Sequence, residues 1–287
     1  MISIIIPVLN EADGIEALLT HLLEHSDANN ITVTEIILVD GGSTDGTMDI
    51  VSNFVTSSDS EQLEELYREA NKDVLDTKFQ KRNFTQTDEL DNAVKDSETT
   101  PKAFAIESVN QPKIILINSS KGRAKQMNRG AMHAKGAILY FLHADSFPPK
   151  HFDQLIINEV NKGNQAGCFR LQFDSNHWWL QLASWFTQFS WRVSRGGDQS
   201  QFITRTLFDT IGGYNENYTI YEDNILINEL YTRKEFVVIN KKLKTSARMY
   251  RKHGVWKVQY YFFTIHLKKW FGASADDLLA YYNKNVC

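Results

Sequence analysis

Four short runs of almost unbroken apolar residues, each ending in a polar cluster, constrain the fold of this chain more than any other feature. They are Ile2 to Val8, Thr34 to Val39, Ile114 to Ile117 and Ala137 to Leu142. A strand that is apolar on both faces must be covered on both, as in a parallel sheet held between layers of helices. The intervals carry helical spacing. Ile15, Leu18, Leu19, Leu22 and Leu23 recur within Gly14 to His25, with Asn10 or Asp13 placed to cap that helix. A second helix is expected from about Met48, and a third over Arg123 to Ala134, entered through Lys121-Gly122. This alternation implies right-handed crossovers and an open, mainly parallel α/β sheet.

Downstream, a helix is expected over His151 to Val160 and strands near Gly167 to Phe173, Gln201 to Thr204 and Val237 to Leu243. Helices are expected over Arg205 to Ile211, stopped by Gly212-Gly213, over Glu222 to Arg233, and within Gly254 to Tyr282. The stretch from about Thr56 to Gln111 breaks the rhythm, being rich in Ser, Asp, Glu, Lys, Asn and Thr, and reads as a solvated insertion. With no repeat and no linker, residues 1–287 read as a single domain. Residues 1–146 form one functional half carrying the insertion at about 56–111, residues 147–250 the other, and 251–287 a C-terminal helical segment.

A formal net charge of -4 excludes a protein that lives on nucleic-acid phosphates. The two cysteines, Cys168 and Cys287, match no metal-ligand spacing and fit a reducing compartment. No apolar stretch approaches the ~20 residues needed to span a bilayer. The apolar N-terminus lacks a basic flank and reads as a strand rather than a signal peptide, so a cytoplasmic protein is expected.

In an open α/β sheet, ligands bind beyond the carboxyl ends of the strands, and the polar clusters sit there. Asn10-Glu11 follows the first strand; this pair suits a ribose or base edge as well as an ordinary helix cap. Asp40 ends the second, where its carboxylate can accept from a base N–H, and the following glycines allow close approach of a ligand. His143 and Asp145 end the fourth with a spacing of two, which puts both on one face. A diphosphate there calls for Mg²⁺ or Mn²⁺ held by carboxylate and imidazole.

Taken together, Ser3-Ile4-Ile5-Ile6-Pro7-Val8-Leu9-Asn10-Glu11, Val39-Asp40-Gly41-Gly42-Ser43-Thr44-Asp45-Gly46-Thr47 and Gly122-Arg123-Ala124-Lys125-Gln126-Met127-Asn128-Arg129-Gly130-Ala131 resemble family 2 glycosyltransferases of the GT-A fold. The resemblance continues in Leu142-His143-Ala144-Asp145, Gly197-Asp198-Gln199, Ile211-Gly212-Gly213-Tyr214 and Glu222-Asp223. It implies an inverting, metal-dependent transfer of sugar from a nucleoside-diphosphate sugar to an unknown acceptor, lipid or glycan among the options. Pro7, Asn10, Glu11 and Asp40 would line the nucleoside pocket, with Arg123 and Asn128 near the nucleotide. Asp145 would ligate the metal with His143 beside it, and Asp223, with Glu222, would serve as general base. His143 stands where the family usually has an acidic residue, and a bacterial subgroup with a Leu-His-Ala-Asp string is closer still. That substitution motivates the alternative of a catalytically silent nucleotide-binding module.

Two aromatic stretches fit either packing or contact with ligand or membrane. One holds Trp178, Trp179, Trp185 and Trp191. The other, Val255 to Phe271, mixes Trp256, Tyr260, Tyr261, Phe262, Phe263, Trp270 and Phe271 with Lys257, Lys268 and Lys269. It suits an interfacial helix as well as a packed one, and so raises peripheral membrane contact as an expectation.

Overall fold

The computed structural model describes residues 1–26, 32–52 and 112–285. The expected insertion over 56–111 and the terminal Cys287 lie outside those residues. Among the described residues eight strands form one sheet: β1 (Ile2–Val8), β2 (Val33–Asp40), β3 (Lys113–Asn118), β4 (Ile138–Phe141), β5 (Ser146–Phe147), β6 (Ala166–Phe173), β7 (Gln201–Thr204) and β8 (Val237–Thr245), in the spatial order β3-β2-β1-β4-β7-β6-β8-β5. β3, β2, β1 and β4 are parallel, and β8 is parallel to β6; β7 is antiparallel to β4 and β6, and β5 to β8. Only β7 and β5 therefore run against the rest, and both reversals serve the site.

The described helices are α1 (Ala12–His25), α2 (Thr47–Ser52), α3 (Arg123–His133), α4 (Phe152–Asn161), α5 (Trp178–Phe186), α6 (Arg205–Ile211), α7 (Glu222–Arg233), α8 (Arg248–His253), α9 (Val255–Trp270) and α10 (Ala275–Asn285). All seven residues of β1 are buried. Ile2, Ile4 and Ile6 face one cluster with Leu18, Leu19 and Leu22 of α1, while Ile5 faces the other with Met127 and Ala131 of α3. Burying each such side chain contributes about 1.5–3 kcal/mol, and the central strand accordingly carries a single polar residue, Ser3. Gly130 lets α3 lie close: a Cβ there would stand 2.4 Å from Ile5 Cγ2. That packing fixes where the first residue of α3, Arg123, emerges.

Pro7 sits inside this central strand without disrupting it. The Val8 carbonyl accepts from Gly41 N on the β2 side, and the Ile5 carbonyl from Leu142 N on the β4 side. Alternation turns Pro7 toward β4, whose ladder with β1 has already ended at the Ile5–Phe141 pair, so its missing N–H leaves no gap.

The start of α1 corrects one expectation. Its N-cap is Glu11, with no side-chain cap bond, and neither Asn10 nor Asp13 caps it. Asn10, at φ 56°, instead turns its amide oxygen to Thr44 N at 2.8 Å. The free N–H groups of α1 are met from the neighbouring loop, Glu11 N by Thr47 Oγ1 and Ala12 N by Asp45 Oδ2. The C-terminal segment, expected as helix over Gly254 to Tyr282, divides at Phe271–Ser274 into α9 and α10 and is preceded by the short α8.

Candidate active site

The reversed direction of β7 carries the first consequence for the site. Because Gln201 pairs with Phe141, the residues just before β7 arrive at the carboxyl end of β4. A single 3₁₀ turn, Gly197–Gln199, thus sets Asp198 beside His143. β8 ends opposite β5, with Thr245 paired to Ser146, so Ser246 N donates to the Asp145 carbonyl and α8 begins beside it. Arg248 from α8 then reaches back to Glu11, at 3.1 Å and 3.2 Å from its two carboxylate oxygens.

The ends of β1 and β2 form a tight polar frame. Asp40 accepts from Gly42 N at 2.9 Å, from Ser43 N at 3.1 Å and from Ser43 Oγ at 2.5 Å. Its carboxylate thereby shapes the Gly41-Gly42-Ser43 turn, in which Gly42 takes φ 95°. Gln126 of α3 spans the two strands, donating to the Val8 carbonyl at 2.9 Å and the Val39 carbonyl at 2.7 Å. Asn128, one half-turn on, is committed elsewhere. Its amide donates to the Tyr214 carbonyl and Glu216 and accepts from Tyr214 N, tying α3 to the loop after α6.

Facing this frame is a cluster of charges. Tyr221, at φ 70°, precedes α7 and turns Glu222 and Asp223 inward. Glu222 is only 2% exposed. Arg123 Nη1 lies 3.3 Å from Glu222 Oε1 and 3.7 Å from Asp223 Oδ2. His143 Nε2 lies 3.8 Å from the same Asp223 oxygen, while its Nδ1 lies 3.6 Å from Asp198 Oδ1. Gly197 covers Asp223 so closely that a Cβ would stand 1.9 Å from Oδ2 and 2.9 Å from His143 Cε1. The hydroxyl of Tyr214 is buried nearby without a hydrogen-bond partner among the described residues.

Burial sets the titration of this cluster, and charge modifies it. Glu222 is pushed up to about 7 by burial and by Asp223, with Arg123 pulling the other way. Burial also raises Asp145 and Glu11, against the pull of His143 and Arg248 respectively. For His143, burial favours the neutral ring, but the bond to Asp198 and the charge of Asp223 outweigh it and raise its pKa. Asp198, 54% exposed, is lowered in turn: partial desolvation opposes the shift, but the bond to His143 and the charges of His143 and Arg123 outweigh it.

The structure thus brings together Arg123, His143, Glu222 and Asp223, all expected, and adds Asp198, quoted in the Gly-Asp-Gln segment but given no role. It places Glu11 with Arg248, and Asn10 and Asp40 within the β1–β2 frame. Pro7 is buried in its strand. Gln126 and Arg248 were missed; the signal available for Gln126 was its place one turn into α3 between two residues already singled out.

The family profile described as Glycosyl transferase family 2 matches residues 3–75 and 90–221, well over half of the chain. This chain belongs to that family. The match stops one residue short of Glu222. No curated protein matches the sequence of this family 2 chain. Among solved structures, the mannosyltransferase PcManGT from Pyrobaculum calidifontis in complex with GDP-Man and Mn²⁺ superposes with a TM-score of 0.57 at 16% identity, over 98% of this chain and 69% of that one. S. aureus TarS 1–349 gives 0.55 at 14% identity, over 85% and 60%. The same TarS fragment in complex with UDP-GlcNAc gives 0.55 at 15% identity, over 85% and 58%. The family 2 chain therefore spans about 60% of the length of that TarS fragment. The shared feature is the GT-A fold, a mixed sheet flanked by helices.

Proposed function

We propose that this family 2 chain transfers a sugar from a nucleoside-diphosphate sugar to an acceptor hydroxyl, the two halves of the sheet acting as one catalytic unit. The observation that carries the reading is the meeting of Asp223, from the second half, with Arg123 and His143, from the strand and helix ends that bound the first. The complexes of PcManGT with GDP-Man and of TarS with UDP-GlcNAc support a nucleotide-sugar donor. In this reading the frame of Asn10, Glu11 and Asp40 receives the nucleoside at the carboxyl ends of β1 and β2.

A divalent cation fits Asp145. Its carboxylate is a hard oxygen donor whose pKa is raised by burial and, to a lesser degree, by the charge of Asp198, both of which a cation offsets. Among the described residues no group of three His, Cys, Asp or Glu side chains is arranged to hold a metal ion, so in this reading the protein supplies few ligands and diphosphate and water complete the shell. When bound, the cation neutralises charge on the leaving diphosphate. His143 has carboxylates facing both ring nitrogens, and we assign it to orienting Asp223 rather than to the cation.

Asp223 takes the proton of the acceptor hydroxyl as its oxygen bonds to the anomeric carbon and the anomeric carbon–diphosphate bond breaks. A single displacement of this kind inverts the anomeric centre. Arg123 keeps the adjacent carboxylates from repelling each other. The test is release of nucleoside diphosphate from a panel of UDP- and GDP-sugars with Mn²⁺ or Mg²⁺, in the parent and in Asp145→Ala. Metal-dependent release that the variant lacks supports the reading. Nucleotide binding without release from any donor favours a silent binding module.

A further inference from the structure

We infer that the aromatic ridge formed by α5 and α9 docks this protein on an anionic bilayer surface. On α9 and at its C-cap, Trp256, Tyr260, Phe263, Trp270 and Phe271 are exposed, the last two at 83% and 81%, while only Val258 and Ile265 of the helix are buried. Spacings of four, three and seven residues put Trp256, Tyr260, Phe263 and Trp270 on one stripe of the helix. On α5, Trp178, Leu182, Trp185 and Phe186 are exposed at spacings of four and three. The stripes meet where Trp178 and Trp179 pack on Trp256, with ring centroids 5.9 Å and 5.3 Å apart. A contiguous patch of this kind marks an interaction site rather than scattered surface apolarity.

Charge and composition select the occupant. Residues 248–285 hold seven lysines and arginines against two aspartates, in a chain whose net charge is -4. Basic charge is thus concentrated on the segment that carries the ridge, as an anionic surface requires. The ammonium groups of Lys257 and Lys268 lie over the rings of Tyr261 and Tyr281, 5.8 Å and 5.3 Å from their centroids, so basic charge sits among the aromatic residues. Tryptophan, tyrosine and lysine in this arrangement suit the headgroup level of a bilayer. Among the described residues no helix is long and apolar enough to cross a membrane, so the contact lies in the interface plane. Beneath the ridge, α9 is tied to the loop that presents Glu222 and Asp223, through Tyr221 to His266 at 3.1 Å and Lys269 to Tyr218 at 2.5 Å. Docking would therefore set the acceptor side against the bilayer, a corollary that rests on the proposed role of Asp223; the docking itself does not.

Sedimentation with vesicles tests it without any turnover. The full chain is expected to pellet with vesicles of phosphatidylcholine and phosphatidylserine, to bind pure phosphatidylcholine at least about tenfold more weakly, and to lose binding as salt is raised. The double variant Phe263→Glu, Trp270→Glu changes exposed side chains and should keep its melting temperature while losing at least about tenfold in vesicle binding. The charge reversal Lys257→Glu, Lys268→Glu should lose binding to the anionic vesicles in the same way. Absence of binding to anionic vesicles, or equal binding by folded variants, overturns the inference. So does a concentration-dependent dimer that the same variants abolish, which would make the ridge an interface between two copies.

Discussion

The two rims of the site solve the problem of polar groups at strand ends in opposite ways. At the β1–β2 rim, Asp40, Asn10 and Asp45 spend their oxygens on nearby backbone N–H groups, Asp40 within its own loop and Asn10 and Asp45 on the facing one. At the β4–β7–α7 rim, Glu222 and Asp223 are buried against the Arg123 guanidinium and the His143 ring at 3.3–3.8 Å, and Glu222 Oε1 has no hydrogen bond among the described residues. In the proposed reading the first rim is a scaffold that would receive the nucleotide with little rearrangement. The second holds charge under tension, which suits groups that must change protonation during a reaction.

Substitutions can break this contrast, beginning with the largest effect. Asp223→Asn should lower donor turnover by about 10²–10⁴-fold, as expected for a lost general base, and steady-state kinetics would show it. Arg123→Met should leave two buried carboxylates without their cation. The cost is expected to be about 2–3 kcal/mol in urea unfolding, below that of a fully buried pair because Arg123 is itself 44% exposed. Gln126→Ala should cost about 1–2 kcal/mol by the same measurement, since it orphans hydrogen bonds to two strand-end carbonyls. If the scaffold rim cost more than the charged rim, the comparison would be inverted.

The smallest effect sharpens the comparison through pH. Glu222 is raised in the folded protein to about 7 from 4.5. The folded state therefore holds this proton more tightly than the unfolded chain. The corresponding stability is fully present below the unfolded value and is lost as pH rises through about 7. Glu222→Gln removes that dependence. The fall in melting temperature between about pH 5 and about pH 8 should shrink in the variant, corresponding to about 1–2 kcal/mol.

What could be read from sequence divides along the same line. The strand from Ile2 to Val8 was legible to the residue, and α6 and α7 were placed by Gly212-Gly213 and by the run after Glu222, because these signals are local. β5, with two residues, is too short to leave a pattern, and β8 runs two residues past the expected end at Leu243, through the exposed Lys244 to Thr245. Asn10 was misassigned as a cap because its partner, Thr44, lies on another strand's loop. The motif strings named most of the charged cluster. They said nothing of its wiring, since His143 meets Asp198 only through the reversed direction of β7, and Arg248 meets Glu11 across 237 residues.

The most direct test pairs two readouts on Asp223→Asn: calorimetric titration with nucleoside diphosphate and Mn²⁺, and turnover of the donor that the parent uses. A scaffold that binds and a charged rim that reacts predict a dissociation constant within about threefold of the parent and turnover lower by at least about a hundredfold. Turnover at the parent rate would contradict the account, placing the proton acceptor outside the Arg123–His143–Asp223 cluster.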